Sequence, residues 1–167
     1  SAAREAARLA QRAGATLSFD PASFQQISEM GVDAFIDVTG DLGIDVLLPN
    51  KEEGRVLTGE EESEKIARRL AELYPGALVI LKLDADGALV LNDEVRHIPP
   101  GPNALVDATG AGDSFAGAFL AHYLRSGKVM EAATFATLLS SWVIEHIGAR
   151  PAPDARLHRL MAESVPT

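Results

Sequence analysis

The sequence is organised around residues 106–120, which read VDATGAGDSFAGAFL. Gly110 and Gly112 have no Cβ atom, so the backbone between them can turn sharply and come close to a ligand. The apolar residues that follow recur at helical spacing and predict a helix that begins at Asp113. The first amides of a helix have no intrahelical acceptor and bind anions, of which phosphate is the usual one. The stretch therefore predicts a phosphate-binding loop.

Asp113 places a carboxylate beside this predicted anion site, although two negative groups repel each other. Such a carboxylate is expected where a hydroxyl attacks phosphorus, because it can accept the proton of that hydroxyl. Aspartate is also a favoured N-cap, and a glycine-rich turn before a capped helix is common in α/β proteins. The loop alone leaves both roles open. Phe115 stands where a dinucleotide-binding fingerprint needs its third glycine, so the stretch does not match that motif.

The composition indicates an ordinary globular protein. A length of 167 residues, with 47% hydrophobic and 23% charged residues, predicts a single domain over residues 1–167, and the pattern of elements described below makes it an α/β domain. The net charge of −9 argues against a nucleic-acid partner, which requires a basic surface. Without cysteine there is no disulfide framework and no thiolate metal site. Because no signal peptide or membrane-length apolar run is found, we expect a cytoplasmic protein without a membrane partner.

Hydrophobic periodicity predicts alternating helices and strands. The chain begins inside a helical pattern that leads into a short strand, which predicts a fragment of a longer α/β array. Strands are predicted at residues 16–19, 44–48 and 77–83, and a hairpin is predicted from strands at 88–91 and 95–98. The remaining periodic segments predict helices, at residues 3–13, 24–30, 32–38, 50–59, 60–73, from 113 through at least 123, and at 129–147 and 154–162.

Polar residues follow several of the predicted strands. Asp20, Asn50, Asp84 and residues 107–113 each come just after a strand. Ligands of open α/β sheets lie beyond the carboxyl ends of the strands, so one edge of the sheet is predicted to gather these residues. Within this set, Asn50 and Glu53 have the spacing of a helix capping arrangement. The alternative is that Glu53 lies near a hydrated Mg²⁺, an ion that keeps its waters and needs few carboxylates.

Taken together, the motifs resemble a known family. Residues 107–117, DATGAGDSFAG, resemble the C-terminal signature of ribokinase-like, PfkB-type carbohydrate kinases. Residues 48–53, LPNKEE, resemble the N-x-x-E segment of that family, and Gly148-Ala149 after a buried helix also matches. The resemblance extends over nearly the whole chain. It implies the C-terminal half of a three-layer α/β/α sandwich with a mostly parallel sheet and a β-hairpin before the GAGD loop.

The resemblance implies a role for each matching position. Asp113 would be the catalytic base that deprotonates the sugar hydroxyl, and the amides of Gly110, Ala111 and Gly112 would form the anion hole for the transferred phosphoryl group. Glu53 would bind Mg²⁺ through water. The residues along ATP would be Asn50, Lys82, Asp84, Gly87 and Thr137. A monovalent cation, K⁺, would be held near Asp107, Thr109 and Gly148. The implied partners are ATP, a sugar substrate and, in the full-length protein, a second copy that forms a homodimer.

The sequence also departs from the family pattern. Ala22 stands where the family usually has asparagine, and Asp84 stands where a glycine is expected and would repel ATP phosphates. Family members are about twice this length, and the half that carries the sugar pocket precedes this region, so the chain alone is expected to be inactive. A second interpretation is therefore a non-catalytic nucleotide-binding module derived from the kinase fold. A third is a serine hydrolase, because Gly112-Asp113-Ser114 resembles a G-D-S motif, although Asp154 and His158 are one residue too far apart.

Overall fold

The computed structural model describes residues 2–164; Ser1 and residues 165–167 lie outside the described part. The strands are β1 (Ser18–Phe19), β2 (Val46–Leu47), β3 (Leu78–Lys82), β4 (Ala88–Leu91) and β5 (Val95–Ile98). The helices are α1 (Ala2–Arg12), α2 (Phe24–Met30), α3 (Val32–Thr39), α4 (Lys51–Thr58), α5 (Ser63–Leu73), α6 (Ala111–Ser126), α7 (Val129–Val143) and α8 (Ala155–Ser164). Short 3₁₀ turns lie at Gly40–Leu42 and Asp84–Asp86.

The strands form one five-stranded sheet in the order β1-β2-β3-β4-β5. β1 pairs with β2 in parallel, with Ser18 opposite Val46, and β2 pairs with β3 in parallel, with Val46 opposite Leu78. Every residue of β2 is buried, as are the first four residues of β3, which explains their continuous apolar sequences. β4 and β5 are neighbours joined by three residues, so the predicted hairpin is confirmed with its bounds.

The described chain divides into two compact units, one of residues 2–84 with 89–97 and one of residues 85–88 with 98–164. The first unit has a core of apolar side chains beside the sheet, in which Ile27, Ile66 and Leu70 are fully buried. In the second unit α6 packs along α7, and residues such as Phe119 and Ala133 are fully buried. The single domain over residues 1–167 stays a prediction.

Three predicted helix boundaries are wrong. In the first unit α5 begins at Ser63 rather than at Glu60, and the other two boundaries lie in the second unit. Helix α6 begins at Ala111 rather than at Asp113, because Gly110 adopts a left-handed conformation and caps it. Helix α7 ends at Val143, although the apolar pattern continues to Ile147. The carbonyl oxygen of Ile144 accepts the amides of Val106 and Asp107, at 2.8 and 3.1 Å, so a tertiary contact replaces the next helical hydrogen bonds.

Across residues 2–164, every helix is either too short or too polar to span a lipid bilayer.

Candidate functional site

Asp20, Asn50, Glu53 and Lys82 form what we call the strand-end cluster, and all lie in the first unit. Asn50 follows β2 and makes an isolated parallel bridge with Lys82, the last residue of β3. The Lys82 amide donates to the Pro49 carbonyl at 2.9 Å, which extends the pairing beyond β2. Asp20 follows β1, the neighbour of β2. Because these strands are parallel, their carboxyl ends bring Asp20 and Asn50 to the same edge of the sheet, together with Lys82 and Glu53. The gathering of Asp84 and residues 107–113 at that edge stays a prediction.

Asn50 and Glu53 cap helix α4. The Glu53 amide donates to Asn50 Oδ1 at 2.9 Å, and the Asn50 amide donates back to Glu53 Oε2 at 2.9 Å. Asn50 Nδ2 donates to the other carboxylate oxygen, Oε1, at 2.8 Å. The Glu53 residue is only 2% exposed, and burial raises the pKa of its carboxyl group, while the Asn50 amide lowers that pKa. The capping interpretation therefore describes the geometry.

This geometry limits how a cation could be held. Both oxygens of Glu53 already accept hydrogen bonds inside a buried capping box, so direct coordination by Glu53 does not fit the arrangement. Among residues 2–164, no group of three or more His, Asp or Glu side chains has the geometry of a metal site. A Mg²⁺ ion that keeps its own waters does not require such a group.

Lys82 and Asp20 form an ion pair, with 2.5 Å between Lys82 Nζ and Asp20 Oδ2. The two side chains are only 12% and 27% exposed, whereas the ion pairs along α5 are mostly exposed. The family resemblance implies that Lys82 lies along the nucleotide and gives no indication of this pairing with Asp20. The available signal was that Asp20 and Lys82 both stand at the ends of predicted parallel strands.

Ala22 and Asp84, the two positions that depart from the family pattern, share an uncommon backbone conformation. Their φ angles are +64° and +52°, and within residues 2–164 they are the only non-glycine residues with positive φ. Glycine and asparagine adopt this left-handed region most readily. The backbone at both positions thus has the shape that suits the residue types expected there, even though the side chains differ.

The second group of site residues is the glycine loop, residues 107–112, in the second unit. Gly110 has a φ of +80° and its carbonyl accepts the first intrahelical bond of α6, from the Ser114 amide at 2.9 Å. The Ala111 amide donates to the Ala108 carbonyl at 3.1 Å, so its proton is already used. Within residues 2–164, the amides of Gly110, Gly112 and Asp113 have no hydrogen-bond acceptor. These amides are available to an anion.

Asp107 ties the glycine loop to the segment after α7. Its carboxylate accepts the Thr109 amide at 2.9 Å and the Gly148 amide at 2.8 Å. Hydrogen bonds from the Thr109 side chain and from these two amides lower the pKa of Asp107. Gly110 packs so closely here that a Cβ atom would lie 2.8 Å from the Ala149 Cα atom. The assignment of Asp107, Thr109 and Gly148 to a monovalent cation stays a prediction.

Asp113 lies in the first turn of α6, and its side chain is exposed. It occupies the third helical position, and Gly110 is the N-cap, so the alternative that Asp113 itself caps the helix is wrong. Among residues 2–164 the Asp113 carboxylate has no hydrogen bond or ion pair. A carboxylate that is exposed, unpartnered and next to unpaired amides is placed to accept a proton.

Two further predicted nucleotide contacts have structural explanations. Gly87 has a φ of +86°, and an added Cβ atom would lie 2.1 Å from the Ile98 carbonyl oxygen. Close backbone packing therefore accounts for glycine at this position. Thr137 is 4% exposed and its hydroxyl donates to the Ala133 carbonyl at 2.9 Å within α7. The roles of Gly87 and Thr137 at a nucleotide stay predictions.

The geometry does not support a serine hydrolase. Asp154 Oδ1 accepts the Leu157 amide at 2.7 Å and caps α8. The His158 ring contacts the carbonyl oxygen of Asp154, at 2.6 Å, rather than its carboxylate. Among residues 2–164, Ser114 makes no side-chain hydrogen bond to a histidine. The residues of a serine–histidine–aspartate relay are therefore not assembled.

Comparison with known proteins identifies the family. The model of the pfkB family of carbohydrate kinases matches residues 2–156, so the chain belongs to this family. The family assignment made from the sequence motifs is confirmed.

Individual relatives agree with this assignment. The ATP-dependent ribose-1-phosphate kinase of Halopiger xanaduensis is 32% identical over 150 residues, which are 89% of this chain and 47% of that protein. The adenosine kinase structure from Sinorhizobium meliloti has a TM-score of 0.85 and 25% identity, and covers 98% of this chain and 49% of the other. The ribokinase structure from Thermotoga maritima has a TM-score of 0.72 and 31% identity over 94% of this chain and 51% of the other. The predicted ribokinase-like α/β fold is confirmed, and the chain spans about half the length of these proteins.

Proposed function

We propose that this chain carries the ATP-binding and catalytic-base residues of a kinase that phosphorylates a hydroxyl group of a sugar or sugar-like acceptor. The observation that carries the proposal is the glycine loop. The unpaired amides of Gly110 and Gly112 in this loop, and of the adjacent Asp113, stand beside the exposed Asp113 carboxylate, which has no partner within residues 2–164. Amides at a helix N-terminus stabilise phosphoryl charge, and the carboxylate takes the proton of the attacking hydroxyl.

The strand-end cluster supports the nucleotide half of this proposal. Lys82 brings a partly buried ammonium group to the carboxyl edge of the sheet, where ligands of open α/β sheets bind. Asn50 is held beside Lys82 by strand pairing and by its capping bonds with Glu53. Mg²⁺, when bound, would neutralise phosphate charge. Because the Glu53 oxygens are both engaged, we propose that this ion contacts the chain through its own waters.

Replacing Asp113 by asparagine tests the base assignment. In the protein at its natural length, assayed with Mg-ATP and a panel of sugars and nucleosides, Asp113→Asn should lower turnover about 10²- to 10⁴-fold. ATP affinity should stay the same or rise slightly, because the removed charge repels phosphate. The measurement is steady-state turnover together with calorimetric titration of ATP.

The matched control is Asp33→Asn. Asp33 is also an exposed acid in the first turn of a helix, α3, so its loss reproduces the effect on the helix dipole without touching the glycine loop. This control should leave turnover unchanged. If Asp113→Asn keeps wild-type turnover, Asp113 is not the base.

A second candidate is a nucleotide-binding module without phosphoryl transfer. Asp84 favours it, because this exposed residue lies just beyond β3, two positions after Lys82, where its carboxylate would repel ATP phosphates. The same turnover assay and ATP titration, taken together, decide between the candidates. Binding of Mg-ATP without transfer to any acceptor in the panel would support the module, and transfer would exclude it.

A further inference from the structure

The Asp20–Lys82 ion pair spans the width of one strand. Asp20 follows β1 and Lys82 ends β3, with β2 between them. Adjacent strands lie about 4.8 Å apart, so β1 and β3 are separated by about 10 Å. The Lys82 side chain crosses this distance, and its Nζ atom lies 2.5 Å from Asp20 Oδ2. With side-chain exposures of 12% and 27%, the pair is shielded from solvent more than an ordinary surface ion pair.

Asp20 is itself held by the loop that carries it. Its Oδ1 atom accepts the Ala22 amide at 3.2 Å, which forms a turn closed by the Asp20 side chain. Pro21, between them, is buried and has a fixed φ, and its carbonyl accepts the Ser23 amide at 2.9 Å. One carboxylate oxygen is therefore oriented by the local backbone and the other is free to hold Lys82.

Lys82 also lies near a second acid, Glu53, and its positive charge stabilises the ionised form of that carboxyl group. Burial is the largest cause of the raised pKa of the Glu53 carboxyl group; Asp20 also raises this pKa and Lys82 lowers it, so both charges act at the buried end of α4. Lysine has a flexible stem and three N–H donors. A salt bridge to Asp20 uses one donor and leaves the other two for a further acceptor at the same edge.

We propose that Asp20 is a positioning residue that holds the Lys82 ammonium group in place for the phosphate groups of the nucleotide. The inference rests on the proposed function and adds a residue to it. Preorganised donors bind a ligand more tightly because they are not ordered at the moment of binding. Lys82 freed from Asp20 would sample many rotamers, and phosphate affinity would fall while affinity for the base and ribose would not.

The first test compares ATP with adenosine. In the protein at its natural length, calorimetric titration of Asp20→Asn should show about tenfold weaker ATP binding. Adenosine binding should be unchanged. The matched control is Glu62→Gln. Glu62 precedes α5 and forms an exposed ion pair with Lys65, at 2.9 Å, so this variant removes an acid from a pair outside the strand-end cluster and should bind both ligands like the wild type.

The second test separates positioning from stability. The double variant Asp20→Lys with Lys82→Asp keeps an ion pair but moves the ammonium group to the end of β1. Its midpoint of thermal unfolding should return toward the wild-type value, while its ATP affinity should remain as low as that of Asp20→Asn. Restored ATP affinity in the double variant would show that the pair is merely structural and would overturn the proposal.

The measured affinities also distinguish a failure of the positioning role from a failure of the proposed function. If the wild type binds ATP and Asp20→Asn binds it equally well or more tightly, the positioning role is wrong and the proposed function stands. If the folded wild type binds neither ATP nor adenosine, the proposed function falls, and the positioning role falls with it. If Asp20→Asn does not fold, Asp20→Glu takes its place in the same titration, because it keeps a carboxylate at the end of β1 but displaces the Lys82 ammonium group. Wild-type ATP affinity in Asp20→Glu would then overturn the positioning role.

Discussion

The strand-end cluster and the glycine loop each contain a carboxylate that accepts backbone amides, but the pKa values of the two acids shift in opposite directions. Glu53 accepts the Asn50 amide while 2% exposed, and its pKa is raised. Asp107 accepts the amides of Thr109 and Gly148 in a more exposed position, and its pKa is lowered. The same kind of hydrogen bond acts in both places. The comparison shows that burial, rather than the amide donors, decides the direction.

The two regions also differ in how they accommodate left-handed backbone. The glycine loop and the segment tied to it use Gly110 and Gly148, with φ angles of +80° and +85°. The loops that follow β1 and β3 use Ala22 and Asp84. A non-glycine residue in this region is strained. The first unit therefore stores strain beside its candidate site, whereas the second avoids strain by using glycine.

The largest change in the free energy of unfolding is expected from Gly110→Ala, which introduces backbone strain into the glycine loop. The new Cβ atom would lie 2.6 Å from the Ala149 Cβ atom, at a φ of +80°. Steric overlap and left-handed strain together should lower the free energy of unfolding by about 2–4 kcal/mol. Urea-induced unfolding followed by the fluorescence of Trp142, in the same unit, measures this change.

Gly127→Ala is the control for conformation alone. Gly127 has a φ of +67° and no atom within 4 Å of an added Cβ, so only the strain contributes. Its destabilisation should be about 1–2 kcal/mol. Equal losses for Gly110→Ala and Gly127→Ala would show that close packing against Ala149 is unimportant.

Measuring the free energy of unfolding as a function of pH should reveal opposite effects of Asp107 and Glu53 on stability. Asp107 has a folded pKa below its ordinary value of 3.8, so its stabilisation is present above that value and is lost as pH falls through the folded pKa. Glu53 has a folded pKa above its ordinary value of 4.5, so the folded state holds its proton more tightly. The free energy of unfolding should therefore fall as pH rises from 4.5 through the folded pKa of Glu53.

The isosteric variants Asp107→Asn and Glu53→Gln test this opposition. With urea unfolding measured from about pH 3 to pH 8, the stability difference between wild type and Asp107→Asn should grow as pH rises through the acid range. The corresponding difference for Glu53→Gln should shrink over its own range. Slopes of the same sign in both variants would contradict the role given to burial.

The smallest change in the free energy of unfolding is expected from Ala22→Gly, which relieves backbone strain in the loop that follows β1. Glycine adopts the φ of +64° without steric cost but loses more backbone entropy on folding. The net gain in the free energy of unfolding should be at most about 1 kcal/mol.

Ala15→Gly provides the comparison for Ala22→Gly. Ala15 is an exposed loop residue without positive φ, so only the entropy term applies and the variant should be slightly less stable than the wild type. If Ala22→Gly also destabilises the chain, the left-handed conformation at Ala22 carries no strain.

The sequence predicted most elements of the fold because their signals are local. The alternation of apolar strands and amphipathic helices set the α/β class, and the hairpin of β4 and β5 was predicted with its bounds. The capping arrangement of Asn50 and Glu53 was also readable, since it depends on residues three positions apart. The C-terminal end of α7 was not predictable, because it depends on hydrogen bonds that the Ile144 carbonyl accepts from the amides of Val106 and Asp107, which are distant in sequence.

The residue types and motifs were set by the sequence alone: the glycines and acid of residues 107–113, the N-x-x-E segment and the family that both indicate. Only the tertiary structure decided which groups are engaged and which remain available. It paired Lys82 with Asp20 over 62 residues of sequence, buried Glu53, and left Asp113 exposed. The physical reason is that a pKa, an ion pair and a close backbone contact depend on distance and burial, and chain folding sets both among residues far apart in sequence.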